Sequence, residues 1–295
     1  MSHTRLPSAP CRQDAGGAGA EQVLLRTCDA VRLSAVLLHA GRPLSDRDPP
    51  PRAEVRPIGV VLLPGFTGCS GRPGVDRVAQ ALTAYADVLV VNLRGHGASA
   101  GLSTLGDREV FDVDAAVGEM RRRGYSTVVT VGWSMGGTCA LRHAALVGEQ
   151  VQLRPVEHPA DAVVTVSSAG WWFYRGTAPM RRLHWLVQTP LGRRMAQRVF
   201  GVRIDSTGWA ATPLDPTEAA ARLDVPLLVV HGDADGYLPV DHARAIAAAA
   251  GSDAELWEVP GFGHAEEAAG PELLARIGEA LPGLVARGRA PAAGT

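Results

Sequence analysis

The sequence predicts an α/β protein built on a mostly parallel sheet with helices on both faces. The first observation behind this prediction is a series of short, continuous apolar runs, which is how strands read when both faces of a parallel sheet are buried. The second is that amphipathic helical patterns lie between most of these runs. The third is composition: 46% of the 295 residues are hydrophobic, which supplies enough apolar material for a sizeable core.

The predicted elements alternate along most of the chain. Two β-type runs joined around residues 28–30 predict a hairpin, and six further apolar runs follow. The predicted strands are residues 23–27, 31–38, 58–63, 88–93, 128–131, 162–166, 227–230 and 255–259. The predicted helices are residues 75–85, 107–123 and 135–147, with a last helix that opens at Pro271.

One connection is much longer than the others. Almost sixty residues separate the strand that ends near Ser167 from the strand that starts near Pro226, whereas a crossover needs about a dozen or more. The excess predicts an inserted cap at the carboxyl edge of the sheet, where ligands of open α/β sheets bind. We therefore expect a core of residues 23–168 and 223–286, a cap over 169–222, and disordered tails at 1–22 and 287–295.

Composition and charge exclude several classes of function. The 29 basic residues, all arginine, nearly balance the 30 acidic ones, so the chain is not a generally basic nucleic-acid binder. Because lysine is absent, Schiff-base chemistry and a Walker lysine are excluded. No apolar run approaches the ~18 residues of a membrane-spanning helix, and the N-terminal residues lack the apolar segment of a secretory signal.

The cysteines favour neither a disulfide framework nor a metal site. Cys11, Cys28, Cys69 and Cys139 are scattered and show no C-x-x-C or Cys/His ligand spacing. This pattern predicts no structural disulfide and no zinc site, and no motif implies a nucleotide or another cofactor. With no secretory signal, the default expectation is a reducing cytoplasm.

A serine stands at the junction of a predicted strand and a predicted helix. The motif G-W-S-M-G-G (residues 132–137) directly follows the strand 128–131 and opens the helix 135–147. A serine on such a sharp turn has strained backbone angles, and the flanking glycines leave room for neighbouring chain. Because the helix begins at the serine, its free N–H groups favour negative charge that develops there. Ser134 is therefore the candidate nucleophile.

Candidate acid and base residues follow two later strands. The segment H-G-D-A-D-G (231–236) comes after the strand 227–230, and P-G-F-G-H (260–264) comes after the last strand. A serine hydroxyl is a weak nucleophile until a base takes its proton. His264 is the candidate base, and Asp233 or Asp235 is the candidate acid that orients it. The chain order Ser, Asp, His is one of the known orders of such triads.

Four motifs carry a family resemblance. They are L-L-P-G-F-T-G (62–68), N-L-R-G-H-G-A-S (92–99), the G-W-S-M-G-G motif, and H-G-D-A-D-G-Y-L-P (231–239) with a following G-H. With these motifs the chain, from about residue 23 to residue 285, resembles the α/β-hydrolase superfamily, and within it the monoglyceride-lipase and serine-aminopeptidase-like branch. The resemblance implies an eight-stranded, mostly parallel sheet and a short helical cap.

The resemblance also implies roles for individual residues. In that branch the acid lies three residues after the Gly and four before the Pro, which is Asp235 here, with Asp233 as the rival. One oxyanion N–H comes from the loop after the first central strand and maps to Phe66. The other comes from the residue after the nucleophile, Met135. The family usually has His-Gly where this chain has Pro-Gly at residues 64 and 65, so the oxyanion loop departs from the family pattern.

The predicted cap is rich in aromatic residues and arginine. Residues 171–204 hold six of the 15 aromatic residues, seven arginines and no Asp or Glu. Thr-Pro at residues 189 and 190 predicts a helix start. The predicted apolar face of that helix holds Leu191, Met195, Val199 and Phe200.

Three interpretations of this basic cap stay open. The helix covers the pocket with its apolar face and exposes its arginines to solvent, or the arginines attract an anionic substrate or an acyl carrier. In the third interpretation the helix contacts a membrane surface. In each of them the aromatic residues favour an apolar acyl or aromatic group in the pocket. The candidate pocket residues are Trp133, Trp171, Trp172, Phe173 and Trp185.

The candidate residues together predict a serine hydrolase that cleaves an ester, thioester or amide through an acyl-enzyme. A carboxylesterase or lipase-like enzyme acting on a small to medium apolar acyl substrate fits best. One alternative is an acyltransferase or thioesterase acting on an anionic or carrier-bound acyl group in a biosynthetic pathway. Another is a catalytically silent member of the fold that binds a small ligand. Ser134 is unlike the nucleophile of the related dehalogenases and epoxide hydrolases, which use Asp.

Overall fold

The computed structural model describes residues 20–41 and 58–289. Within them the first strand begins at Ala20 and the last helix ends at Arg289. Residues 20–22 and 287–289, which the sequence assigns to tails, therefore belong to regular elements. The strand extends to Ala20 because its backbone pairs with Leu38 in the first hairpin. The remainder of the expected tails, residues 1–19 and 290–295, lies outside the described residues.

The described residues form ten strands. In chain order they are β1 (Ala20–Arg26), β2 (Arg32–Leu38), β3 (Gly59–Leu63), β4 (Asp87–Val91), β5 (Val128–Trp133), β6 (Gln150–Val151), β7 (Arg154–Pro155), β8 (Ala162–Val166), β9 (Leu227–Gly232) and β10 (Ala254–Val259). Eight of them make one sheet in the order β1-β2-β4-β3-β5-β8-β9-β10, and β6 pairs with β7 alone. β2 is antiparallel to both neighbours, and the other pairs of the large sheet are parallel. The predicted mostly parallel, eight-stranded sheet is confirmed.

Helices lie on both faces of this sheet and above its carboxyl edge. They are α1 (Pro73–Leu82), α2 (Val110–Arg122), α3 (Met135–Leu146), α4 (Ala178–Gln188), α5 (Pro190–Met195), α6 (Pro216–Ala220), α7 (Asp241–Ala250), α8 (Ala265–Ala268) and α9 (Pro271–Arg289). A π-helical turn (Ala196–Phe200) continues α5, and a 3-10 turn (Gly251–Asp253) follows α7. Within residues 20–41 and 58–289, none of these helices has the length and apolar character needed to cross a membrane.

The predicted elements of the core are all present, and their ends differ from the prediction by at most three residues. Two apolar cores hold them together, one on each face of the sheet. Leu63 of β3 packs on the face of α2, α3 and α7, whereas its neighbour Leu62 packs on the face of α1 and α9. Successive side chains of a strand point to opposite faces, so each central strand contributes to both cores. Because β3, β5 and β10 run in the same direction, the loops that carry Phe66, Ser134 and His264 leave the sheet at one edge.

The segment predicted as a cap, residues 169–222 and here called the cap, has a small apolar core of its own. Its buried members are Leu186, Ala196, Phe200, Val202 and Ile204, and Phe66 and Leu105 of the main body pack against them. Thr189 begins α5 as predicted, since its Oγ1 accepts the Gly192 N–H at 3.0 Å. The cap thus rests on the loop that follows β3.

The predicted apolar face of the cap helix is wrong for three of its four residues. Leu191, Met195 and Val199 are 65%, 40% and 42% exposed. The buried stripe lies one position further along, at Gly192, Ala196 and Phe200.

The cause of this shift is the close packing of α5 against the end of α4. A side chain at Gly192 would collide with the backbone of Leu186. Small residues must therefore face inward at the start of α5, and the larger apolar residues turn outward.

The cysteines also depart from the prediction. Cys28 is an exposed free thiol and Cys139 a buried one, whereas Cys69 is disulfide-bonded. The prediction of no structural disulfide is therefore wrong for Cys69. Because disulfides persist mainly in oxidising environments, the cysteines no longer support the expectation of a reducing compartment.

Candidate active site

Ser134 lies on a strained turn between β5 and α3. Its φ is 49° and its ψ −115°, and a residue other than glycine pays roughly 1–3 kcal/mol for such a conformation. Hydrogen bonds hold the turn in place: Ser134 N donates to Val166 O at 2.8 Å, and Thr138 N donates to Ser134 O at 3.2 Å. The strain is thus maintained by β8 on one side and by the first turn of α3 on the other.

Glycines beside Ser134 allow backbone segments to approach closely. A side chain at Gly132 would collide with the backbone of Gly136, and one at Gly136 would collide with the carbonyl oxygen of Leu63. The second approach brings the start of α3 against the end of β3. It therefore places the loop that carries Phe66 next to the serine.

Ser134, His264 and Asp235 form one hydrogen-bonded chain. His264 Nε2 lies 3.1 Å from Ser134 Oγ, and His264 Nδ1 lies 2.7 Å from Asp235 Oδ2. In the neutral ring with its proton on Nδ1, Nδ1–H donates to the carboxylate and Nε2 accepts the serine O–H. The Tyr237 ring stacks on His264 with 4.4 Å between the centroids, which limits rotation of the imidazole.

Asp235 is the acidic candidate that contacts the histidine. Its side chain is 1% exposed, and its Oδ1 accepts the N–H groups of Tyr237 at 2.8 Å and Leu238 at 3.0 Å. Burial by itself raises the pKa of this carboxyl group, but the hydrogen bonds from His264 and from the backbone outweigh burial. The pKa of Asp235 therefore lies below its ordinary value, and the group is a buried carboxylate at neutral pH.

Asp233, the rival acid, holds the loop instead of the ring. Its Oδ1 accepts the Gly261 N–H at 2.7 Å. Gly261 lies in the turn that connects β10 to His264, so this contact shapes the segment that presents the histidine. The structure thus separates the two aspartates that the spacing alone left as alternatives.

Two further histidines lie beside this chain. His231 Nε2 donates to Leu238 O at 2.9 Å and thereby satisfies a buried backbone carbonyl. His242 Nδ1 accepts the Gly170 N–H at 3.0 Å, and its ring stacks on Trp171 with 3.8 Å between the centroids. Burial lowers the pKa of both rings, and the pKa of His242 falls to about 4. Both are therefore neutral at pH 7.

Two backbone N–H groups near the serine have no internal acceptor among the described residues, those of Phe66 and Met135. The Met135 N–H belongs to the first turn of α3, where helical N–H groups have no intrahelical partner. The peptide that carries the Phe66 N–H is held at its other end, because Gly68 N donates to Gly65 O at 2.8 Å. Such fixed donors suit an oxygen on which negative charge develops.

The structure does not gather the predicted pocket aromatics in one place. Trp133 is fully buried in the core on the α1 and α9 face, so the prediction that it lines the pocket is wrong. The reason is the alternation along β5, which points the residue before Ser134 into that core. Trp171 lies beside the site through its stacking on His242.

The other aromatic residues of the cap lie further from the hydrogen-bonded chain. Trp172 donates its indole N–H to Pro213 O at 2.9 Å and packs on Trp209. Phe173 also contacts Trp209 and is exposed, as is Trp185. Trp172 therefore links the start of the cap to the segment that carries Trp209 and Pro213. A pocket role for Trp172, Phe173 and Trp185 stays a prediction.

Sequence reasoning missed three residues that support the site. Ser167 has a φ of 53°, and its Oγ accepts the Ala265 N–H at 3.1 Å. Tyr237 stacks on the histidine, and the buried Glu266 accepts the Gly65 N–H through Oε1 at 2.7 Å. The position of Ser167 at a strand end on the same edge could have indicated it. A stacked ring and a buried carboxyl group leave no comparable pattern in one sequence.

Comparison with known proteins assigns a family to this arrangement. The sequence model of the alpha/beta hydrolase family matches residues 60–276, which is well over half of the chain. The protein belongs to the alpha/beta hydrolase family. No curated protein sequence matches the chain.

Solved structures of other proteins share the fold. An esterase from Pyrococcus furiosus matches with a TM-score of 0.67 and 18% identity, over 94% of this chain and 98% of that one. A putative lipase from Acinetobacter baumannii gives 0.65 and 16%, over 94% and 95%. An esterase from a Rhodococcus species gives 0.60 and 19%, over 90% and 98%. At such identities the likeness establishes the fold, and the monoglyceride-lipase-like branch stays a prediction.

We expect the buried His242 to make the protein less stable in acid. Its pKa falls from 6.5 to about 4 on folding, so between these pH values the unfolded chain binds more protons. Above pH 6.5 the ring is neutral in both states, and its titration does not lower the free energy of unfolding. As the pH falls towards 4, the free energy of unfolding decreases, by about 3 kcal/mol at most at 1.36 kcal/mol per pKa unit.

Urea unfolding of wild type and His242→Gln between neutral pH and pH 4 checks this. Glutamine keeps an acceptor for Gly170 but does not titrate, so the variant should lose less free energy of unfolding across the window. Equal losses in the two proteins would contradict the expectation.

Proposed function

We propose that this protein is a serine hydrolase that cleaves an ester bond, or a related thioester or amide, through an acyl-enzyme. It acts as a carboxylesterase or lipase-like enzyme on a small to medium apolar acyl group. The observation that carries the proposal is the hydrogen-bonded chain from Ser134 Oγ through His264 to the buried carboxylate of Asp235. This chain supports it because a serine becomes a nucleophile when a positioned base takes its proton.

In the first half of the reaction Ser134 Oγ attacks the carbonyl carbon while His264 Nε2 takes the hydroxyl proton. Asp235 stabilises the resulting imidazolium and keeps the Nδ1 proton in place. The carbonyl oxygen becomes an oxyanion that accepts the N–H groups of Phe66 and Met135. His264 then gives its proton to the leaving alcohol, and the C–O bond of the ester breaks.

In the second half a water molecule replaces the alcohol. His264 takes a proton from the water, and the resulting hydroxide adds to the acyl carbon in the same oxyanion site. Collapse of this intermediate releases the carboxylic acid and returns the proton to Ser134. The same groups therefore serve both halves.

The contacts of the oxyanion loop support an apolar acyl group. Phe66, whose N–H is assigned to the oxyanion, turns its ring to the apolar core of the cap. Near the acid loop, Trp171 stacks on His242. Aromatic rings beside the oxyanion loop and the acid loop suit an apolar substituent.

We expect a fluorophosphonate probe to label the wild-type protein and not Ser134→Ala. Loss of the nucleophile should lower kcat by about 10⁶-fold, as in other serine hydrolases. The activity of the wild type on p-nitrophenyl esters of increasing chain length should peak at short to medium acyl groups. A well-folded wild type that stays unlabelled would contradict the proposal and favour a silent ligand-binding protein.

Asp235→Asn and Asp233→Asn form a matched pair. Asparagine at 235 favours the wrong tautomer of His264, so kcat on the best ester should fall by about 10⁴-fold. Asp233→Asn keeps an acceptor for Gly261, and its loss of kcat should be far smaller. Steady-state kinetics on both variants, with circular dichroism to verify folding, checks the ranking. The reverse ranking would assign the acid role to Asp233.

A second candidate function is transfer or release of an acyl group held on an anionic carrier. The observation that favours it is the cap segment 171–204, with its seven arginines and no acidic residue. Positive charge near a cleft raises the local concentration of an anionic substrate.

Salt separates the two candidates, because it screens attraction between exposed charges. For the esterase we expect kcat/KM on neutral esters to change little from low to high salt. Saturation by a carrier thioester, with a kcat/KM that falls steeply as salt rises, would favour the second candidate. The neutral ester in the same buffers is the internal control.

A further inference from the structure

Glu266 is a buried carboxyl group that the reaction above does not use. It lies on α8, two residues after His264, and is 7% exposed. Burial raises its pKa, and hydrogen bonds from backbone N–H groups offset this only in part. Its Oε1 accepts the Gly65 N–H at 2.7 Å. A buried carboxyl group needs hydrogen-bond partners, and the Gly65 N–H is one of them.

Gly65 lies between this carboxyl group and the nucleophile. A Cβ at Gly65 would stand 3.2 Å from Ser134 Cβ and 3.4 Å from Glu266 Oε2. Gly65 is thus close to both Ser134 and Glu266. The backbone of a glycine is, however, less restricted than that of any other residue. The hydrogen bond from its N–H to Glu266 supplies a restraint that the residue lacks by itself.

Gly65 also shares a peptide with the N–H of Phe66. The carbonyl of that peptide is bonded to Gly68 N, and in a trans peptide the N–H points away from the C=O. The bond to Gly68 therefore sets the direction of the Phe66 N–H, while the bond to Glu266 sets the position of the preceding residue. Pro64 has no N–H to anchor the loop, so Gly65 is the first residue after β3 that can donate.

Glu266 is itself held by its neighbours. Arg77 Nη2 donates to Glu266 O at 2.7 Å. The preceding residue, Ala265, has a φ of 53° and donates its N–H to Ser167 Oγ at 3.1 Å. α1 and the residue that follows β8 thus fix the short helix that presents the carboxyl group to Gly65.

We propose that Glu266 is a positioning residue for the oxyanion loop: its carboxyl oxygen holds Gly65, and through Gly65 the Phe66 N–H, where the oxyanion forms. The inference rests on the proposed function, because it serves the same reaction. The role needs a hydrogen-bond acceptor at the position of Oε1. It does not need a negative charge, which would oppose a nearby oxyanion.

Two substitutions separate the acceptor from the charge. Glu266→Gln keeps an acceptor at the same distance from the backbone and removes the charge. Glu266→Asp keeps the charge and withdraws the acceptor by one methylene. Loss of a whole oxyanion donor costs about 10²–10³-fold in kcat, and displacement of one costs less. We therefore expect kcat to fall by about 10–100-fold in Glu266→Asp, with KM little changed, and to stay within about threefold of wild type in Glu266→Gln.

Glu267→Asp, at the exposed neighbouring position, is the matched control and should behave as wild type. Thermal unfolding of each variant verifies the fold. A Glu266→Asp variant with wild-type kcat, or a Glu266→Gln variant as slow as Glu266→Asp, would overturn the proposal. Fluorophosphonate labelling of the wild type distinguishes two kinds of failure. Without labelling the proposed function fails and this inference with it, whereas labelling combined with either overturning result defeats this inference alone.

Discussion

The close backbone approach around Ser134 is the constraint on which the rest of the site depends. The strained serine persists because β8 accepts its N–H and because Gly132 and Gly136 let β5, α3 and the end of β3 come together. One packing arrangement thereby sets both the height of the serine hydroxyl above the sheet and the position of the loop with Phe66. The loops after β9 and β10 then bring the aspartate and the histidine to a point that is already defined.

The ionisable side chains near Ser134 differ in their charge at neutral pH. Asp235 is a buried carboxylate stabilised by three hydrogen bonds, whereas the neighbouring His231 and His242 are kept neutral by burial. The negative charge of Asp235 is therefore directed to His264 and is not shared among several protonated rings. An imidazolium formed at His264 finds its counter-ion at 2.7 Å, without a competing cation among the neighbouring histidines.

How far the sequence predicts this protein depends on whether a feature is local. Strands, helices and the serine turn follow from short-range patterns, and their observed ends lie within three residues of the predicted ones. Features set by tertiary contacts were not predictable. The inward face of α5 depends on its approach to Leu186, and the distinction between Asp233 and Asp235 depends on the path of the loop before His264. Trp133 directly precedes Ser134 in sequence, but the pleat of β5 turns it into the core.

The separate core of the cap has a consequence for how such a protein diversifies. Its buried residues contact the main body at the loop after β3, at Leu105 and at Ser103, which pairs with Ile204, and they take no part in the two cores on the sheet. Substitutions confined to this small core should therefore disturb the two cores on the sheet less than substitutions within those cores. Residues 132 to 137 have no such freedom. Under the proposed function, selection for new substrates would act on the cap while the residues around Ser134 stay fixed.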